Sequence, residues 1–287
     1  MDFKRTIDIL PYALANHPLD NCLAAKENGK WKTYSTQDFS DKVSQMSHAL
    51  IELGVEPGDK ISSITNNRPE WNFLNFAVAR VGAILCPMYP TISAEDYVYI
   101  FNHAEIKFVF VSDEEILEKV KKAKIDVPTI EGIYTFNQIE GAKHWTDVLK
   151  LGSNQHEEEI TKRMDAIQEQ DLVTIIYTSG TSSRPKGVVV SHKALLNYTI
   201  GLKNVVTEIS SQKFAHVSAI QADFGNTAIF GSLGYGGTLL LPSQEVILDP
   251  TLMSDFFVQN PTDILKITPS HLEAFSAIIT QILPSKI

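Results

Sequence analysis

Apolar and polar positions along this chain follow the pattern of strands alternating with helices. A short apolar run at residues 60–65 predicts a strand, and residues 69–81 place apolar side chains at helical spacing behind a proline. The same order continues with a strand at 83–88, a helix at 93–101, a strand at 108–111, a helix at 114–122 and a strand at 129–136. This repeated βαβ order predicts parallel strands joined by crossover helices.

The second half of the chain repeats the theme after a polar stretch at residues 137–170, which predicts a connection between subdomains. Its predicted strands lie near 214–218, 238–242 and 263–268, and its predicted helices lie near 193–204, 226–233, 251–259 and 270–282. We therefore predict an α/β protein made of two doubly wound βαβ subdomains. The first covers residues 1–170, and the second, which is incomplete, covers residues 171–287.

Two helix starts carry the form of a capping box, in which a hydroxyl residue precedes an acidic residue by three positions. These pairs are Ser93 with Asp96 and Ser270 with Glu273. In such a pair each side chain accepts a hydrogen bond from the other residue's backbone N–H. Both pairs therefore predict that a helix begins directly after the serine.

The composition of the 287 residues, 44% hydrophobic and 21% charged, is that of a folded globular protein. The formal net charge of −9 argues against a nucleic-acid partner. Lysines between residues 119 and 124 stand at helical spacing among acidic residues, which indicates a solvated helix face.

The two cysteines, Cys22 and Cys86, stand in unrelated contexts without the spacing of metal ligands. They predict neither a disulfide framework nor a metal site, and they favour a reducing compartment. The N-terminus lacks the apolar core of a signal peptide, and Arg80 interrupts the most apolar long stretch, residues 73–88. We expect a cytoplasmic protein with no transmembrane segment.

An apolar strand at residues 172–177 leads into a loop of small hydroxylated residues, glycine and lysine. Hydroxyl groups beside the backbone N–H groups around Gly180 are suited to wrapping a polyphosphate. Lys186 adds a mobile positive charge, and Gly187 lets the backbone pass close to a ligand. The candidate nucleotide-binding residues are Thr178, Ser179, Gly180, Thr181, Ser182, Ser183, Lys186 and Gly187. A hydroxyl-rich surface turn is the alternative interpretation.

The spacing of this loop is not that of the P-loop, because five residues separate Gly180 from Lys186. Residues 178–187 resemble instead the loop Thr-Ser-Gly-Ser/Thr-Thr-Gly-x-Pro-Lys-Gly of the adenylate-forming superfamily. Ser183 replaces the second glycine of that pattern. If this position requires a positive φ, the serine would cost about 1 kcal/mol.

The two halves of the chain resemble different branches of this superfamily. Residues 1–170 resemble long-chain fatty acyl-CoA synthetases, through Leu-Gly-Val-Glu-Pro-Gly-Asp at 53–59 and Asn-Asn-Arg-Pro-Glu-Trp at 66–71. Residues 190–280 resemble the adenylation domains of nonribosomal peptide synthetases, through Ala-Asp-Phe-Gly-Asn-Thr at 222–227 and Lys-Ile-Thr-Pro-Ser-His-Leu at 266–272. The resemblance leaves the acid substrate open between a fatty acid and an amino acid.

Asp223 decides between these substrates if it lines the pocket. In amino-acid adenylation domains an aspartate at the matching place pairs with the α-ammonium of the substrate, whereas a fatty acid carries no cation. Thr227, one helical turn further on, would line the same pocket. The alternative is that Asp223 caps the following helix, with Asn226 and Thr227 assisting.

Four histidines are interpreted as structural. His192 follows the loop and is expected to begin a helix through packing or capping. The others, His103, His216 and His271, lack metal-like spacing with neighbouring carboxylates or cysteines.

The resemblance implies ATP-dependent activation of a carboxylic acid through an acyl-adenylate, within a long-chain fatty acid–CoA ligase. It implies ATP, Mg²⁺ and coenzyme A, or the phosphopantetheine of a carrier protein, as cofactors. The loop residues would handle phosphates, and no residue is assigned as catalytic. An amino-acid adenylation domain and a nucleotide-binding fragment without catalysis are the alternatives.

Three further motifs of the superfamily do not occur before the chain stops at Ile287: Tyr-Gly-x-Thr-Glu, Thr-Gly-Asp and Pro-Lys-x-x-Gly-Lys. We therefore expect a fragment or truncated product with little turnover of its own. Apolar surface that the remaining strands would cover is expected to cause self-association.

Overall fold

The computed structural model describes residues 3–27, 29–178, 184–206 and 208–279. Its strands are β1 (Leu23–Glu27), β2 (Lys30–Tyr34), β3 (Lys60–Ile64), β4 (Ile84–Met88), β5 (Ile106–Val111), β6 (Gly132–Thr135), β7 (Leu172–Thr178), β8 (Lys186–Ser191), β9 (Lys213–Ala215), β10 (Thr238–Leu241) and β11 (Ile264–Leu265). Its helices are α1 (Ile9–Asn16), α2 (Thr36–Glu52), α3 (Pro69–Arg80), α4 (Ala94–Ala104), α5 (Glu114–Lys124), α6 (Trp145–Leu149), α7 (Glu157–Ala166), α8 (His192–Gly201), α9 (Asn226–Gly234), α10 (Gln244–Leu248), α11 (Pro250–Gln259) and α12 (Pro269–Ile279). The predicted alternation of strands and helices is confirmed.

The longer sheet has the strand order β6-β5-β3-β4-β7-β8. Strands β3 to β7 pair in parallel, and β8 turns back antiparallel to β7. Because parallel strands need crossover connections, helices α3, α4 and α5 link successive strands of this sheet. This arrangement confirms the predicted alternation of four strands and three helices over residues 60–136.

The core of this sheet is apolar on both faces, as expected for parallel strands covered by helices. Ile61, Leu85 and Val109 of its central strands are at most 1% exposed. Trp71 of α3 lies buried against the sheet, and its indole Nε1 donates a hydrogen bond of 2.8 Å to Ser63 Oγ. That bond satisfies the one polar group of a large buried ring.

The second sheet has the strand order β11-β9-β10-β1-β2. Strand β1 from the start of the chain pairs in parallel with β10, with Leu23 opposite Leu239. Strands β9, β10 and β11 are also mutually parallel where they pair. The first strands of the chain and its last strands therefore share one sheet.

Contacts divide the chain into two compact units whose segments interleave. One unit comprises Met1–Ser40, Asn66–Pro69 and Leu195–Ile287, and the other comprises Asp41–Thr65 and Glu70–Ala194. These bounds differ from the predicted division at residues 1–170 and 171–287. The difference arises because β1 joins β10 in one sheet, whereas β7 joins β4 in the other.

The two predicted capping boxes have different outcomes. Ser93 caps α4 and accepts a hydrogen bond from the backbone N–H of Asp96, as predicted. Ser270 does not precede its helix, because α12 already begins at Pro269. The hydroxyl oxygen of Thr268 instead accepts a hydrogen bond from the backbone N–H of His271, at 3.4 Å. The capping role predicted for Ser270 is therefore wrong, and Thr268 holds it.

Both cysteines are free and buried. Burial raises the pKa of the Cys22 thiol to about 12 and that of the Cys86 thiol to about 12. Within the described part of the chain, no helix combines the length and the apolar character that crossing a membrane requires.

Candidate functional site

The hairpin of β7 and β8 carries the candidate phosphate residues that the structure describes. Thr178 at the end of β7 lies opposite Lys186 at the start of β8. Ser179, Gly180, Thr181, Ser182 and Ser183 lie outside the described residues. Strand β7 is parallel to β4, and Thr174 Oγ1 donates a hydrogen bond of 2.8 Å to the carbonyl of Leu85. Thr178 therefore stands at the carboxyl end of a parallel strand, where α/β sheets place their ligands.

Both residues at this loop end of the hairpin are solvent-exposed. The side chains of Thr178 and Lys186 are exposed, so a hydroxyl group and an ammonium group face solvent at one edge of the sheet. The hydroxyl group and the ammonium group can both donate hydrogen bonds to phosphate oxygens, and the ammonium group adds a full positive charge.

Gly187 lies where a side chain would crowd residues of the opposing strand. A Cβ atom built at this position would lie 3.1 Å from Cζ of Tyr177 and 3.0 Å from Cγ2 of Ile175, both on the opposing strand. A side chain at position 187 would crowd Ile175 and the ring of Tyr177, and glycine avoids that crowding. The close approach made by this glycine is to Tyr177 itself.

Asp223 and Thr227, the candidate substrate residues, lie in the other unit. Asp223 opens a 3-10 turn, Asp223–Gly225, which leads directly into α9. The N-cap position of α9 is Gly225, and no side chain caps either element. The alternative interpretation of Asp223 as a helix cap is therefore wrong. Asp223 is solvent-exposed, so its carboxylate does not carry the desolvation cost of a buried charge.

Thr227 is buried and takes part in a polar chain that the sequence did not indicate. Its hydroxyl group is hydrogen-bonded to that of Tyr198. The ammonium group of Lys266 donates a hydrogen bond of 2.7 Å to the same Tyr198 hydroxyl. Lys266 Nζ also lies 4.2 Å from the ring centroid of Phe224, the residue that follows Asp223. A positive charge thus stands beside the turn that carries Asp223.

His216 packs against the same turn from the inside of this unit. It is 1% exposed, and a Cβ atom at Gly225 would lie 2.3 Å from its Nε2 atom. Burial lowers the pKa of His216 to about 4, so the imidazole is neutral near pH 7. The side-chain amide of Asn67 holds the adjoining backbone by donating to the carbonyls of His216 and Ser218, at 3.1 and 2.9 Å.

Sequence reasoning assigned no site role to Lys266 or His216, although both carry a signal. His216 directly follows β9, and Lys266 directly follows β11. Residues at the carboxyl ends of parallel strands collect at one edge of a sheet, where ligand-binding side chains occur most often. That rule would have selected both residues once the strands were predicted to be parallel.

The structure brings the candidate residues together in two groups. Thr178, Lys186 and Gly187 share the hairpin of one unit, and Asp223 and Thr227 share the first turn of α9 in the other unit.

Comparison with known proteins places this architecture in context. A family model described as "AMP-binding enzyme" matches residues 11–284. Long chain acyl-CoA synthetase 3 of Arabidopsis thaliana is 28% identical over 230 residues, which cover 74% of this chain and 34% of that protein. The chain spans about a third or less of the length of the first curated relatives it matches.

Two solved structures show the same fold. The inhibitor-bound N-terminal domain of FACL13 from Mycobacterium tuberculosis superposes with a TM-score of 0.82 at 16% identity, covering 99% of this chain and 68% of that one. VinN in complex with L-aspartate superposes with a TM-score of 0.77 at 18% identity, covering 96% and 65% of the two chains. These superpositions confirm the predicted α/β fold.

Proposed function

Because the chain belongs to the AMP-binding enzyme family, we propose that it carries the nucleotide-binding part of an enzyme that activates a carboxylic acid by adenylation. The observation that supports this proposal most is the loop end of the β7–β8 hairpin. There the Thr178 hydroxyl and the Lys186 ammonium group face each other across the ladder and face solvent. The loop between them contains the hydroxylated and glycine residues 179–183, which lie outside the described residues.

These groups fit the triphosphate of Mg-ATP. Lys186 would neutralise phosphate charge, and the Thr178 hydroxyl would donate a hydrogen bond to a phosphate oxygen. The serine and threonine hydroxyls among residues 179–183 would donate further hydrogen bonds. ATP would supply an electrophilic α-phosphate and pyrophosphate as the leaving group. The residues of this chain would hold and orient those groups rather than transfer protons.

We propose a long-chain fatty acid as the acid that is activated and coenzyme A as the thiol that receives the acyl group. Relatives named as long chain acyl-CoA synthetases are the source of this proposal. Lys266 supports it physically, because its ammonium group lies 4.2 Å from the ring centroid of Phe224, the residue next to Asp223. An α-ammonium group entering there would meet a cation as well as a carboxylate, which weakens the electrostatic case for an amino acid.

An amino-acid substrate is the second candidate. Asp223 is free of a capping role and is exposed, as a residue that receives a substrate ammonium group must be before binding. The fold is also shared with VinN, which was solved with L-aspartate bound. A nucleotide-binding protein without catalysis is the third candidate, favoured by Ser183 in place of the family's glycine.

The nucleotide assignment is tested by calorimetric titration of the chain with Mg-ATP. We expect Lys186→Ala to weaken binding by about 10- to 100-fold, since it removes one charge-assisted contact with phosphate. Lys122→Ala is the matched control, because Lys122 is an exposed lysine of α5. Equal affinities for Lys186→Ala and the unmodified chain would refute the phosphate role of this residue.

The substrate is tested by ATP–pyrophosphate exchange on the complete gene product. Exchange that depends on a long-chain fatty acid and is retained in Asp223→Ala is the expected result. Exchange that depends on an amino acid and is lost in Asp223→Ala would establish the second candidate instead. Tight ATP binding without exchange on either acid class would establish the third.

A further inference from the structure

Helix α4 carries two neighbouring aromatic rings, of half-buried Tyr99 and exposed His103, on a different face from its fully buried side chains. Tyr97 and Phe101 point into the core and are fully buried. Tyr99 and His103, four residues apart and therefore neighbours on the helix surface, stack with ring centroids 5.5 Å apart and an interplanar angle of 30°. We call Tyr99 and His103 the α4 ring pair.

The α4 ring pair contacts the end of strand β7, just before the hydroxyl-rich loop. His103 Nδ1 lies 2.7 Å from the hydroxyl of Tyr177, within hydrogen-bond distance. The two rings meet edge to face, with centroids 5.8 Å apart and an interplanar angle of 85°. Burial raises the pKa of Tyr177 to about 12, so its hydroxyl keeps its proton at neutral pH. Tyr177 is therefore fixed directly beside Thr178.

The same ring pair contacts the chain where it leaves the loop. The guanidinium carbon of Arg184 lies 5.2 Å from the ring centroid of Tyr99, which is the geometry of a cation–π interaction. Arg184 is two residues before Lys186, and Pro185 between them has a restricted φ. A contact that fixes Arg184 therefore also restricts the position of Lys186.

Both strands of the hairpin are thus in contact, at its loop end, with one pair of stacked rings. Tyr177 directly precedes Thr178, and Arg184 lies two residues before Lys186, which is opposite Thr178. Holding these residues in place before a ligand arrives reduces the conformational freedom lost on binding.

We infer that Tyr99 and His103 are positioning residues that hold Thr178 and Lys186 in place for a phosphate ligand. The inference rests on the proposed nucleotide-binding function. The ring pair itself would not touch the phosphate groups, because each ring acts through Tyr177 or Arg184.

The test uses Tyr99→Leu and His103→Ala, with conservative partners that restore the contact. Tyr99→Phe keeps an aromatic face for Arg184, and His103→Asn keeps a polar atom near the Nδ1 position for the Tyr177 hydroxyl. Glu95→Gln is the control variant, since Glu95 lies one helical turn earlier and lines the same cavity of about 660 Å³ as Tyr99, His103 and Arg184. His103 is exposed, and Tyr99 is half-buried and packs against the core, where leucine keeps an apolar side chain.

Two measurements are made on each variant of the chain. Hydrogen–deuterium exchange at the backbone amides of Thr178 and Lys186 is followed without nucleotide, and Mg-ATP affinity is measured by calorimetry. We expect Tyr99→Leu and His103→Ala to speed exchange and to weaken ATP binding by about three- to tenfold, the effect of one lost weak contact each. Tyr99→Phe, His103→Asn and Glu95→Gln should match the unmodified chain in both.

The outcomes separate this inference from the proposed function. Unchanged exchange at Thr178 and Lys186 in both disruptive variants overturns the inference, whatever the ATP affinity. Faster exchange with unchanged ATP affinity also overturns it, because anchoring would then not serve the ligand. If the unmodified chain binds no Mg-ATP at all, the proposed function fails and the positioning role fails with it. If Lys186→Ala weakens binding but the ring-pair variants do not, only the positioning role fails.

Discussion

His216 is held neutral by burial, and this makes the stability of its unit depend on pH. Its pKa is lowered from the ordinary value of 6.5 to about 4. The unfolded chain therefore takes up a proton at this histidine below pH 6.5, whereas the folded chain does not until the pH approaches 4. The stabilisation is fully present above pH 6.5 and is lost as the pH falls through this window.

We expect the free energy of unfolding to fall by about 2 to 3 kcal/mol between pH 7 and pH 4.5 through His216 alone. Urea unfolding of the chain and of His216→Gln at both pH values isolates this contribution, since groups other than His216 affect both proteins alike. His17→Gln serves as the control, because His17 is exposed. Equal pH dependence in His216→Gln and the unmodified chain would show that His216 is not the group responsible.

Residue identity alone indicated the hairpin site but not its surroundings. The run of hydroxyl, glycine and lysine residues at 178–187 is local, so its chemistry could be read without the fold. Lys266 and His216 could be selected by their places directly after β11 and β9, but their contacts with Phe224 and Gly225 arise only in the folded chain and cannot be inferred from residue spacing. Gly187 shows the same limit, because its reason is a ring on the opposing strand.

At the scale of elements, the apolar pattern predicted most strands and helices, because buried side chains recur at the spacing of the helix or strand that carries them. Strand 60–65 and helix 69–81 correspond to β3 and α3, since each presents its apolar side chains to one core. The predicted strand at 263–268 shortens to Ile264–Leu265. Its register partners are limited to Phe214 and Ala215 of the short strand β9.

Helix ends were predicted less well than helix existence. Ser93 caps α4 because the residue after it starts the helix, as the motif requires. At α12 the proline at position 269 takes the first helical position, where its missing N–H costs nothing, and the cap moves back to Thr268. A competing start signal one residue earlier therefore overrides an acceptable capping box.

At the scale of the whole molecule, strand pairing was the part that the sequence could not supply. Nothing local in β1, Leu-Ala-Ala-Lys-Glu, or in β10, Thr-Leu-Leu-Leu, specifies that Leu23 lies opposite Leu239. The two units therefore have bounds that a linear reading from residue 1 to residue 170 does not produce.

Strand β8 lies at the end of the strand order in its sheet, as far as the described residues extend. Val188 is 49% exposed and Val189 is 58% exposed, although neighbouring side chains on a strand point to opposite faces. An edge strand presents backbone N–H and C=O groups that can pair with a strand of another chain. Exposed apolar side chains on both of its faces favour that pairing. This edge is our candidate for the self-association expected from the sequence.

We expect the chain to associate reversibly in sedimentation velocity and Val189→Lys to shift it toward monomer, because a lysine on an edge strand disfavours pairing with another edge. Val205→Lys is the matched control, since Val205 is 82% exposed but lies outside every strand of the described chain. It should leave the association unchanged. A monodisperse monomer of the unmodified chain, or an equal shift by Val205→Lys, would show that the β8 edge does not drive association.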